Sequence, residues 1–67
     1  MNHKIKAGDK VIRLDLNSPF IYTVKKVEPN YIHIARHEKR KEWFTFVVEG
    51  QIRLATKQEI YQGYPNG

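Results

Sequence analysis

Apolar and polar residues alternate through most of this chain with the period of two that belongs to β-strands, and turn formers interrupt the alternation at short intervals. Gly8-Asp9 introduces Val11-Ile12-Arg13-Leu14, in which Ile12 and Leu14 share one face and Val11 and Arg13 the other. Asp15-Leu16-Asn17-Ser18-Pro19 reads as a loop, with Ser18 biased to extended geometry by the proline that follows it. A second strand opens at Phe20. Phe20, Tyr22 and Val24 fall on one face while Val27 has the opposite parity, which predicts a bulge or bend around Lys25-Lys26. Glu28-Pro29-Asn30 then turns the chain into Tyr31-Ile32-His33-Ile34-Ala35-Arg36, where Ile32 and Ile34 belong to a core and Tyr31 and His33 face outward.

A charged stretch separates this strand from Trp43-Phe44-Thr45-Phe46-Val47-Val48, a fourth strand by composition and alternation. Its pattern assigns Phe44, Phe46 and Val48 to the core and Trp43, Thr45 and Val47 to the other side, although the reverse parity is compatible with the same residues. Glu49-Gly50 makes a tight turn, and Gln51-Ile52-Arg53-Leu54-Ala55 supplies a short fifth strand. Thr56-Lys57-Gln58-Glu59 matches a capping box, in which the Thr hydroxyl and the Glu carboxylate satisfy reciprocal backbone donors at a helix start. One or two helical turns should follow, docked by Ile60 and Tyr61 and ended by Gly63-Tyr64-Pro65-Asn66-Gly67. The chain therefore reads as mainly β: a single domain over 1–67, built as a small antiparallel barrel or rolled sheet of four or five strands with a short C-terminal helix. Residues 1–7 and 63–67 are expected to be flexible ends.

Length and composition narrow the function. Sixty-seven residues bury a small fraction of their surface, so a deep catalytic cleft is not expected. The absence of cysteine removes a disulfide framework, a thiolate nucleophile and thiolate metal sites together. Stability must come from packing, with self-association into a homodimer as a further source. Lys and Arg total 12 against 7 for Asp and Glu, a net charge of +5, which favours anionic partners and argues against imitation of DNA by carboxylates. The N-terminal basic residues lack the apolar run of a secretory signal, and no apolar run approaches the ~20 residues of a membrane span, so a soluble cytoplasmic protein with no membrane partner is expected.

The succession Gly8-Asp9-Lys10-Val11-Ile12, a loop, Tyr22-Thr23-Val24-Lys25-Lys26-Val27, a turn and Tyr31-Ile32-His33-Ile34 resembles the opening of SH3-like small barrels, including KOW and Tudor types. The likeness covers about the first half of the chain; Tyr22 stands where KOW modules typically place a glycine before the second strand. In size and organisation the whole is also similar to small proteins of phages and prophages. The resemblance implies a binding module whose ligands are taken by exposed strand faces and loop tips, with the ligand itself left open.

The residues that carry candidate chemistry cluster around Arg36-His37-Glu38-Lys39-Arg40-Lys41-Glu42-Trp43. Lys and Arg neutralise phosphates and an aromatic ring offers a stacking plane to a base, so nucleic acid, DNA or RNA, is the expected ligand. The expected roles are Arg36, Lys39, Arg40 and Lys41 on phosphates, Trp43 and Tyr31 as stacking surfaces, His33 as an ancillary donor, and Lys25 and Lys26 as an extension of the positive stripe. The plain alternative is a solvated hairpin tip with Trp43 in the core. His33 and His37 on a strand lie about 13 Å apart, too far to share one ion, so no metal is expected. The seven acids are scattered and no phosphate-binding glycine loop is present, so neither catalysis nor a cofactor is expected. The competing reading is a phage- or prophage-encoded module that docks on a host protein through Tyr22, Tyr31, Trp43 and Phe44.

Overall fold

The computed structural model describes residues 5–16 and 19–66, the side chain of Glu38 excepted. The expectations for Ser18 and for the ends at 1–4 and 67 lie outside these residues. Five strands form one antiparallel sheet: β1 Lys10–Arg13, β2 Tyr22–Val27, β3 Ile32–Glu38, β4 Lys41–Val47 and β5 Ile52–Leu54. Their spatial order is β4-β3-β2-β1-β5, so β2 to β4 form a meander and the chain returns through a 3₁₀ turn, Glu49–Gln51, to lay β5 against β1. The mainly β class is as the alternation predicts. The expected closure into a barrel is not found: β4 and β5 are the two edges of the sheet and do not pair.

Register follows from turn chemistry. Thr23 opposes Ala35 and Val24 opposes Ile34, but Lys26 opposes His33, so one extra residue is absorbed between Val24 and Lys26. This is the bulge that the parity of Val27 requires. The charged stretch is shorter as a loop than its composition suggests: β3 runs to Glu38, β4 begins at Lys41, and only Lys39-Arg40 connects them. With Glu38 opposite Lys41, the ladder continues as Arg36 opposite Trp43, Ile34 opposite Thr45 and Ile32 opposite Val47. Because Ile32 and Ile34 are core, Thr45 and Val47 must share their face.

The expected burial of Phe44, Phe46 and Val48 is thereby corrected. Val47 is buried, whereas Phe44, Phe46 and Val48 are 57%, 63% and 51% exposed. A period of two makes parity all or none, and the two-residue turn sets it. That turn places Lys39 at φ 59°, a left-handed conformation that a non-glycine side chain disfavours. Lys39→Gly is expected to raise the melting temperature by a few degrees, roughly 0.5–1 kcal/mol of stability; an unchanged or lower melting temperature would mean that the turn is not strained at this residue.

The core is one cluster: Ile5, Val11, Tyr22, Val24, Ile32, Ile34, Val47 and Ile52, with Phe20 and Val27 packed against it. Tyr22, a candidate docking residue by composition, is only 6% exposed and belongs to this cluster instead. The helix α1, Lys57–Gln62, starts on the expected capping box, with Thr56 Oγ1 accepting from the Glu59 N–H at 3.1 Å and Glu59 Oε1 accepting from the Thr56 N–H at 2.9 Å. Its docking residue differs from expectation. Ile60 and Tyr61 are exposed, and Glu59 is the buried side chain. A six-residue helix has too short an apolar stripe to anchor itself, and the Arg53 guanidinium holds Glu59 by a two-pronged ion pair at 2.7 and 2.8 Å.

A candidate nucleic-acid interface on the outer face of the sheet

The side chains that oppose the core face form a second, solvent-facing surface on β2, β3 and β4. Cross-strand pairs place His33 beside Phe46 and Ala35 beside Phe44, and Tyr31 continues the parity of His33. Four rings meet there. Tyr31 contacts Phe46 edge-on with centroids 5.2 Å apart, and His33 lies 4.9 Å from Phe46 and 5.2 Å from Phe44. Val48 extends the row with the parity of Phe46. Ala35, only 1% exposed, is the small residue that lets this row sit close to the backbone. Neighbouring exposed rings of this kind form the sort of apolar patch that often carries a binding role on a small domain.

Lysines border the row. The bulge sets two side chains against one on the partner strand, so Lys25 and Lys26 both approach the His33 side. Lys25 Nζ lies 3.3 Å from Glu42 Oε2, which His37 Nε2 also approaches at 3.2 Å, and Lys26 Nζ lies 3.1 Å from Glu28 Oε2. Lys10, opposite Thr23, donates to Thr23 Oγ1 at 2.7 Å from the far side of β2. These are surface contacts worth little in water, so a phosphate can replace the carboxylate without a large penalty.

The remaining candidates take other positions. Arg36 and Trp43 oppose each other on the core-side face at the hairpin end; the Arg36 guanidinium carbon is 3.7 Å from the Phe20 ring centroid and 5.5 Å from that of Trp43. Lys39, Arg40 and Lys41 form the hairpin tip and, with Trp43, line a shallow depression of about 500 Å³. A smaller one shares Trp43 and is otherwise lined by Arg13, Tyr22, Arg36, Phe44 and Thr45. Arg13 there is held by Asp15 through contacts of 3.0 and 2.6 Å, which keep the Asp15 carboxyl below its ordinary pKa and raise that of the guanidinium. Trp43 is therefore neither core nor fully free: it is 48% exposed.

The single cluster expected from sequence thus divides in two, with Lys25, Lys26, Tyr31 and His33 on the outer face and Arg36, Lys39, Arg40, Lys41 and Trp43 around the hairpin end. Sequence reasoning did not place Phe46 or Lys10 in the site, and offered Phe44 only to a protein partner. The signal that finds all three is the two-residue hairpin, which turns Phe44 and Phe46 outward, together with the register that sets Lys10 beside Thr23. No group of three potential metal ligands occurs among the described residues. No helix among them is long and apolar enough to cross a membrane. The chain matches no family model, no curated protein and no solved structure.

Proposed function

We propose that this protein is a non-catalytic module that binds single-stranded nucleic acid on the outer face of β2–β4. The observation that carries the reading is the row of exposed Tyr31, Phe44 and Phe46 about a half-buried His33, with Lys10, Lys25 and Lys26 along its border. Every base has a π-face, so such a row takes bases without regard to sequence, while the lysines meet the backbone. Phe44 and Phe46 stand two residues apart, about 7 Å along the strand, and can each receive a base only if the bases are splayed out of a duplex stack. His33, wedged between the two phenyl rings, adds a hydrogen-bond donor within the row. The meander followed by a 3₁₀ turn and a strand returning to β1 supports the SH3-like resemblance, and with it a binding role.

Salt provides the test. Single-strand binding through phosphates loses affinity with a slope of about 0.7 per contact in log–log form, so Lys25→Ala with Lys26→Ala should make the slope shallower by about 1.4 while the protein stays folded. Salt-independent affinity, or an unaltered slope in the folded double variant, would remove the lysines from the site. The rival reading, a phage-encoded module docking on a host protein, draws support from the free edge of β4 beside the same aromatics. It requires binding that persists at high salt.

A further inference from the structure

Trp43 and Phe44 are consecutive residues on β4, and consecutive strand residues face opposite sides of a sheet. Because β4 is an edge, no strand among the described residues lies beyond it to separate the two faces. The edge therefore carries a stacking ring on each side, Phe44 with Phe46 outside and Trp43 inside. The cations are distributed to match. Lys39, Arg40 and Lys41 cap the hairpin at the point where the two faces meet and line the depression against Trp43, and Arg36 and Arg13 line the adjoining one. Glu42, the acid next to Trp43 in sequence, is turned to the outer face, where Lys25 and His37 hold it.

We infer that a single strand bound on the outer face continues around the free edge of β4 at the hairpin tip and lays a further base on Trp43, with its phosphates at Lys39, Arg40 and Lys41. This route rests on the outer-face reading above and adds a length requirement to it. A short oligonucleotide fills the outer row alone, and a longer one also reaches Trp43. A duplex, stiff over roughly 150 base pairs, cannot turn about an edge one strand thick. The two sites joined by one flexible ligand act with a high effective concentration, so length adds affinity beyond the added contacts.

Trp43 is the only tryptophan, so indole fluorescence reports the inner site alone. The experiment titrates the intact protein at low salt with oligothymidylates of about four and about ten nucleotides, following indole fluorescence and the backbone amide signals of Phe44 and Phe46. The expected result is that both oligomers shift the amides, that only the longer one quenches Trp43, and that it binds at least roughly tenfold more tightly. Arg40→Ala with Lys41→Ala should remove that length advantage and leave the short oligomer's affinity within about twofold. Shifted amides with an unquenched indole at the longer length overturn the route while leaving the outer-face reading standing. Quenching by the short oligomer without amide shifts overturns it too, by placing an independent site at the tip. Silence of the amides with both oligomers overturns the outer-face reading and this one with it.

Discussion

Phe44→Ala combined with Phe46→Ala is expected to weaken binding of a single strand by at least about thirtyfold, since each stacked base contributes roughly 1–3 kcal/mol. The fold should tolerate the change. Both rings are more than half exposed, and the core cluster beneath the sheet contains neither. What they lose in the free protein is contact with His33 and, for Phe46, the edge of Tyr31, so the melting temperature should move by no more than a few degrees. Calorimetric titration with an oligothymidylate, paired with a thermal melt, separates the two effects. A folded double variant with wild-type affinity would take the aromatic row out of the site and leave the protein-docking reading as the stronger one. The conservative pair Phe44→Tyr and Phe46→Tyr should retain most of the affinity, because a phenol stacks much as a phenyl does.

The second large effect concerns the C-terminal lock. Glu59 is fully buried, and its carboxylate receives the Arg53 guanidinium at 2.7 and 2.8 Å, the Thr56 N–H at 2.9 Å and the Asn66 N–H at 2.8 Å. These donors, that of Arg53 first, hold its carboxyl far below the ordinary carboxylate value of 4.5. Glu59→Ala should lower the melting temperature by several degrees, because it removes from a buried position the shared acceptor of two backbone donors and of a guanidinium that is only partly open to water. If that variant does not fold, Glu59→Gln, which keeps the shape and one acceptor oxygen, still reports on the charge.

The direction of the pH effect follows from the depressed pKa. A carboxyl with a lower pKa in the folded than in the unfolded chain stabilises the fold above the unfolded value, and that stabilisation is lost as pH falls below about 4.5 toward the folded value. Thermal melts between pH 7 and pH 3 should therefore show a steeper acid loss for the natural protein than for Glu59→Gln. Parallel curves would mean that the carboxylate's charge contributes nothing to the lock.

Residue spacing alone was enough to reveal the strands, the bulge and the capping box, because each is a local event. The parity break between Val24 and Val27 has to be absorbed within β2, and the Thr56–Glu59 box closes within one helical turn. The charge balance was equally legible: the Lys and Arg excess and the aromatics of 31–46 stand in the sequence before any fold is known, and the proposal of an anionic ligand with planar groups starts from them. Which ring faces which side was not local. It depends on Lys39-Arg40 being the whole of the β3–β4 turn, a turn without the glycine or asparagine that usually advertises a two-residue hairpin, and one residue more would have reversed every side chain of β4. Glu59 was readable as a cap but not as an anchor, since its partner Arg53 comes from β5, which lies where it does only because the chain returns to pair with β1. Sequence thus determined the elements and the chemistry available to them. Tertiary structure decided how that chemistry is shared between the two faces of the sheet, because parity and long-range pairing are properties of the assembled ladder and of no single segment.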